Sequence, residues 1–342
     1  MKKIQIVFLF FFLSSCGRDP LTKDTTPIYT LPSITSTLIT TLPKNTHVDL
    51  SFQVDTWCRI LYQDITGYTP CINLDLPEVV EGRLSGKTVI VDPGHGGRDN
   101  GAIVNGVREK DINRAVSEYL IEDLKAEGAN VIVTRMGDEY WYLYDRPTLA
   151  NLVVLVKTYL NTIDSAEKES IGNLIDSLEQ ILQEGATTVP YIYRKGDDMN
   201  EDLKMIFELT NRIDDTVFLS IHSNVTGESM VELEGLDIIL SGNSLASMYP
   251  GYDLYNEEKR LLLGNLLGEE IPESVPIDLR RVYFGDYAVL REENLPSVLI
   301  ELGYMDNEDD LALLTDPAIQ KEYARGITNA VIRYFEESKE VE

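Results

Sequence analysis

Basic residues are scarce in this chain. Thirty lysines and arginines stand against 57 aspartates and glutamates, giving the 342-residue sequence a formal net charge of −27 at pH 7. Neutralising a phosphate backbone takes clustered lysine and arginine, so nucleic acid is excluded as a partner. The acidity itself bears on solubility and on repulsion from anionic surfaces, not on fold. Long apolar runs are scarce too: after Leu13 no segment is apolar enough to span a bilayer, which takes about 20 residues. No internal repeat is visible. Cysteine and histidine number three each. With Cys16 set apart at the N-terminus, Cys58 and Cys71 allow one internal disulfide at most. Either they pair in an oxidising compartment or they are two buried thiols. Closing so short a loop would contribute about 3 kcal/mol on the chain-entropy model. What is present in ordinary amount is hydrophobic side chain, 43%, enough for one sizeable domain and a smaller one.

The N-terminus reads MKKIQIVFLFFFLSSCGRD. Two lysines precede an apolar run from Ile4 to Leu13, too short for a mature membrane helix and laid out as a secretory signal. The run ends in Leu13-Ser14-Ser15-Cys16, which resembles a bacterial lipobox. That resemblance implies that residues 1–16 are a lipoprotein signal and that Cys16 is lipidated; a plain signal peptide is the alternative. The expected location is the cell envelope, outside the cytoplasm, with the membrane reached through the N-terminal lipid anchor. Gly17 after the cysteine lacks the aspartate that marks inner-membrane retention in some bacteria, which leans toward the outer membrane.

Residues 17–26 are polar and read as a flexible linker. Between 27 and 77, short alternating runs (STLITTL, HVDLSFQ, WCRILYQ, GYTPCINL) are punctuated by Asn45, Asp55, Asp64 and Gly67, which predicts a small antiparallel β-barrel. The pattern Trp57…Gly67-Tyr68 resembles bacterial Src-homology-3-like (SH3-like) modules of cell-wall proteins. His47 falls in this module with no acidic or histidine partner nearby and reads as a surface residue.

From Lys87 the texture changes to α/β. KTVIVDP reads as a buried strand. Ile112, Ala115, Val116, Tyr119, Leu120 and Leu124 then recur at helical spacing before Gly128, and NVIVTR is the next strand, giving a βαβ unit with a parallel pair. TVFLSIH and SVLIELG are two more apolar strands, and Asp316-Pro317 caps a last helix. The expected fold is a three-layer αβα sandwich with a mostly parallel sheet over residues 86–337. It is interrupted at about 150–214 by an inserted helical hairpin: Leu152, Val153, Val156, Leu160 and Ile163 on one helix, Ile171, Leu174, Ile175, Leu178 and Ile181 on the other, with DSAEKES turning between them.

Three of these strands end in residues that bind metals or move protons: His95, His222 and Glu301. Glu109 starts the helix after the first strand. In open α/β sheets ligands gather beyond the carboxyl ends of the strands, so side chains far apart in sequence can converge there. Two histidines, a glutamate and an open position are a familiar catalytic zinc arrangement. Singly, Glu109 could merely complement a helix N-terminus and His222 could be a core histidine. Glu301 is harder to dismiss, because a carboxylate ending an apolar strand needs a cation or donors to meet it.

The blocks IVDPGHGGRDNGA, REKDIN, LSIHSN and LPSVLIELGYMDN, in that order, resemble the signature of zinc-dependent N-acetylmuramoyl-L-alanine amidases, the type-3 amidase family of peptidoglycan hydrolases. The resemblance spans roughly residues 86–335 apart from the insertion. It implies Zn2+ held by His95, Glu109 and His222, with Glu301 as catalytic acid/base and Arg291 near the metal. The implied substrate is peptidoglycan, cut between N-acetylmuramic acid and L-alanine. The insertion is expected to gate the cleft until an activator protein displaces it, to extend the peptide-binding wall, or to be inert. The competing functions are a catalytically silent wall-binding lipoprotein and a zinc metallopeptidase acting on stem peptides.

Overall fold

The computed structural model describes residues 20–194, 199–227, 233–244, 252 and 254–340. The signal segment and Cys16 lie outside the described residues.

The N-terminal part is a five-stranded antiparallel sheet: β1 (Thr26–Tyr29), β2 (Leu38–Leu42), β3 (Asp49–Val54), β4 (Trp57–Tyr62) and β5 (Ile65–Pro70), in the order β2-β1-β5-β4-β3. Ile28, Leu42, Val48, Cys58, Ile60, Cys71 and Leu74 form its small core. Cys58 and Cys71 are joined as a disulfide with their Cα atoms 5.1 Å apart. Two details differ from expectation. The linker is shorter than 17–26, because Leu21 pairs with His47 and Thr22 with Leu74, and Thr22 Oγ1 donates to Pro43 O at 2.6 Å. Gly67 is not a turn residue but lies inside β5. A Cβ there would come within 2.7 Å of Ile28 Cγ2 and of the Tyr29 carbonyl, so the position needs glycine for close approach of a neighbouring strand.

The larger part is a mixed six-stranded sheet of β6 (Thr88–Pro93), β9 (Asn130–Val133), β10 (Thr216–Asn224), β11 (Leu236–Leu240), β12 (Leu279–Phe284) and β13 (Ser297–Tyr304), in the order β12-β11-β13-β10-β6-β9. The hairpin β7 (Ile103–Val104) and β8 (Val107–Arg108) leads into the first helix. All neighbours run parallel except β11 with β13. The central strands are apolar almost throughout because helices cover both faces. On one face lie α1 (Glu109–Ala126), α5 (Glu257–Ser274) and α8 (Pro317–Glu337), with α7 (Glu308–Thr315) beside α8. On the other lies α2 (Asp145–Asn161), backed by α3 (Ser165–Glu184) and α4 (Glu201–Thr210), with the short α6 (Ala288–Arg291) at its start.

This arrangement corrects the helical insertion. Every residue of α2 from Leu149 to Val156 is buried, and it shares one core with Ile90 and Phe218 of the sheet and with Ile171 and Ile175 of α3. A helix apolar all round belongs inside a fold. α2 is therefore a layer of the sandwich. Ile163 lies beyond its end and is 98% exposed. The turn spans only 162–164, and Asp164 caps α3 by accepting from Glu167 N at 2.8 Å, so most of DSAEKES is helix.

The small sheet docks on this second core. Phe52, Val54 and Tyr68 belong to it. Glu179 on α3 accepts from Arg59 Nε at 2.9 Å and Nη2 at 2.6 Å, and from Tyr68 Oη at 2.6 Å. Asn130 Nδ2 donates to Gln53 O at 2.9 Å, tying β9 to β3.

Candidate metal centre

The site is built at the carboxyl end of β6. Asp92, fully buried, accepts from Thr134 Oγ1 at 2.6 Å, from Ser220 Oγ at 2.7 Å and from the Arg146 guanidinium. Burial pushes its carboxyl up, but Arg146 and the two hydroxyls outweigh that and hold it below the usual range. The loop that follows is held by two buried arginines. Arg146 donates to Pro93 O at 2.9 Å and His95 O at 2.7 Å; Arg135 donates to Pro93 O and Gly94 O, each at 2.9 Å. His95 sits in the left-handed region at φ 61, a strained conformation for a non-glycine residue that this clamp sustains. Position 94 must be glycine, because a Cβ there would meet His222 Cε1 at 2.3 Å.

Three side chains then converge. Glu109 is brought in by the first turn of α1, His222 by the end of β10. Glu109 Oε1 lies 3.1 Å from His95 Nε2 and 3.0 Å from His222 Nδ1. The two imidazoles meet edge to face with centroids 5.0 Å apart. Asn113, one turn along α1, donates to Glu109 Oε1 at 3.2 Å, and Ala102 N donates to Oε2 at 2.9 Å. Burial raises the Glu109 carboxyl, and the bonds to His222 and His95 overturn that, leaving it far below the usual carboxylate range. His95 Nδ1 is 2.9 Å from Asp99 Oδ2, which orients the ring. Burial pulls the His95 imidazole down, while Glu109 and Asp99 pull it further up, so its net shift is upward.

Glu301 occupies the next strand. It is the register partner of His222 across β10–β13, so both side chains leave the sheet on one face. It is 8% exposed, and its Oε2 is buried with no hydrogen-bond partner among the described residues. Burial is the main cause that pushes its carboxyl up to about 7; Glu109 and Asp237 add to this and His222 opposes it. Arg291 stands at the end of α6. Its guanidinium engages Asp286 and, at 2.8 Å, Glu292 Oε1, so two carboxylates outside the converging group hold it. His47 is exposed on the small sheet, apart from this site.

The family model for N-acetylmuramoyl-L-alanine amidases matches residues 89–154 and 159–333. The chain belongs to the N-acetylmuramoyl-L-alanine amidase family. It is 26% identical over 254 residues to the germination-specific N-acetylmuramoyl-L-alanine amidase of Bacillus subtilis (strain 168), covering 74% of this chain and 82% of that one. To the N-acetylmuramoyl-L-alanine amidase AmiA of Escherichia coli (strain K12) it is 25% identical over 253 residues, 73% of this chain and 76% of that one. A solved N-acetylmuramoyl-L-alanine amidase from Clostridium difficile 630 is 21% identical over 73% of this chain and 97% of that one, with a TM-score of 0.49.

In this amidase-family chain, the donor set can be tested against a metal. His95, Glu109 and His222 offer ligand atoms all within 4.8 Å of one another. Donors about 2.0–2.1 Å from a tetrahedral zinc ion stand about 3.3 Å apart, close to the 3.0 and 3.1 Å separations here. Two imidazoles and one carboxylate fit zinc chemically as well. Sequence reasoning missed the supports: Asp99, Asn113 and the Arg135–Arg146 clamp. Asn113 had a legible signal, since it stands four residues after Glu109 on the same helix face.

Proposed function

We propose that this protein is a zinc-dependent cell-wall hydrolase that cleaves the amide between N-acetylmuramic acid and L-alanine in peptidoglycan. The observation that carries the reading is the convergence of His95, Glu109 and His222 beside Glu301, whose buried Oε2 has no hydrogen-bond partner among the described residues. Membership of the amidase family supports it. When bound, zinc supplies a Lewis acid that polarises the amide carbonyl and makes water a nucleophile near neutral pH. His95, Glu109 and His222 would hold it, and Asp99 keeps the His95 ring turned so that Nε2 faces the site. Glu301 takes the proton from the attacking water and delivers it to the departing amine. Burial raises this carboxyl above the usual carboxylate range, which favours its holding the proton between the two transfers. Arg291 is assigned no step, since Asp286 and Glu292 already engage its charge.

A lipid anchor at Cys16 and an SH3-like character of the small sheet belong to this reading through the sequence resemblances that suggested them. A regulating partner would act on the outer face of α3, because α2 is sealed in the core.

The deciding experiment measures zinc content and digests sacculi with wild type and Glu301→Gln. Wild type should bind one zinc and release intact stem peptides with a free L-alanine amine, identified by mass. Glu301→Gln should keep its zinc and lose about 10²–10⁴-fold in rate. Shortened stems would indicate a peptidase, and a variant as fast as wild type would remove Glu301 from the chemistry.

A further inference from the structure

The sheet register carries the site further than its metal-binding residues. His222 pairs with Glu301, Glu301 with Asp237 across β13–β11, and Asp237 with Arg281 across β11–β12. These four side chains form one transverse row on one face of four adjacent strands, ending at the edge strand. Asp237 is fully buried and serves two arginines: Arg280 Nη2 at 2.5 Å and Arg281 Nε at 3.3 Å. Tyr304 Oη bonds the same carboxylate at 2.8 Å. One carboxylate against two guanidiniums leaves an excess positive charge. Arg281 presents that excess outward. Its side chain is 45% exposed, it stacks 3.8 Å from the centroid of Tyr283, and its two terminal nitrogens have no hydrogen-bond partner among the described residues. A guanidinium oriented through Nε and flattened on a ring keeps its fork open for a bidentate oxyanion.

We infer that Arg281, oriented by Asp237 and Tyr283, recognises a free carboxylate on the peptide side of the substrate and so sets which stem peptides are cut. The inference rests on the amidase reading. Neighbouring strands lie about 4.8 Å apart, so Arg281 stands about 10 Å along the row from Glu301. An extended peptide advances about 3.5 Å per residue. A carboxylate one or two residues beyond the scissile amide therefore falls within reach of the arginine side chain. The glycan offers no such charge once its lactyl carboxyl is tied up in the amide, which leaves the peptide as the source.

The test compares N-acetylmuramoyl-L-alanyl-D-glutamate amidated at its γ-carboxyl, so that only the α-carboxylate is free, with the same compound amidated at both carboxyls, using the full zinc-loaded chain. Wild type should favour the carboxylate by about tenfold or more in kcat/KM, through KM rather than kcat. Arg281→Ala should bring that ratio close to one with kcat nearly unchanged, and Arg281→Lys should keep part of it, retaining the charge without the fork. Asp237 keeps Arg280 and Tyr304 as partners in both variants. A wild-type ratio near one, or an alanine variant that keeps the preference, overturns the inference while leaving the amidase reading intact. Cleavage of neither substrate defeats the amidase reading instead. Calorimetry with L-alanyl-D-glutamate amidated at its γ-carboxyl then decides the binding claim alone. Affinity at least about tenfold weaker in Arg281→Ala supports it, and equal affinity ends it.

Discussion

The two faces of the central sheet come from the same strands and differ in the alternate residue. Toward α1, α5 and α8 point Val89, Val91, Leu219, Ile221, Val298, Ile300 and Leu302, apolar to the ends of the strands. Toward α2 point Ile90, Phe218 and Leu299, and then, one pleat further, Asp92, Ser220, His222 and Glu301. A period of two thus writes a packing surface and a reactive surface into one set of strands. Beyond the apolar core that this face shares with α2, its carboxyl end is stabilised by charge pairing, which makes that end the costlier part to disturb.

The largest effect expected from breaking this contrast is at Arg146. Replacing it with alanine leaves Asp92 buried without its cation, and unpairing a buried ion pair costs about 3–5 kcal/mol. Urea denaturation should show that loss, and adding Asp92→Asn should recover part of it. A full recovery failure would mean that the contacts of Arg146 to the loop carbonyls dominate.

Glu301→Gln should move stability the other way. The folded state raises this carboxyl to about 7, so the native protein binds its proton more tightly than the unfolded chain does. That advantage is full below about pH 4.5 and is lost as pH rises through about 7. Above that the charged form burdens the fold by about 3 kcal/mol. Glutamine does not titrate. In the presence of a chelator, the stability of the variant relative to wild type should therefore climb between pH 4.5 and about 7 and then level off. Parallel curves across that window would refute the buried-charge account.

The smallest effect belongs to the packing face. Ile300→Val, next to Glu301 in sequence but on the other side of the sheet, should cost about 0.5–1.5 kcal/mol and leave the hydrolytic rate unchanged. A rate loss there would show that the two faces are coupled through β13.

What was legible in the sequence follows from the same contrast. Apolar strands announce themselves, and a histidine or glutamate ending such a run stands out, which is why His95, His222 and Glu301 could be read as one group. β12 was invisible because LRRVYF opens on a leucine and two arginines, and its place is fixed by pairing with β11 rather than by its own pattern. α2 reads as an inserted piece in the sequence because its length of apolar sequence says buried without saying against what. Arg135 and Arg146 were missed for a different reason. Arg135 bonds backbone carbonyls of a distant loop, and Arg146 bonds the same loop besides the Asp92 carboxylate; no spacing in the chain encodes such contacts.

The anchoring of Phe52, Val54 and Tyr68 in the second core, with Glu179 bolting α3 to Arg59, has a consequence for how the chain can be divided. A cut near residue 86 would follow the change in texture along the sequence, yet it would strip an inner wall from the hydrolase and wet the apolar flank of α2 and α3. The N-terminal sheet thus closes one side of the second core, and a cut at that boundary is expected to expose it to water.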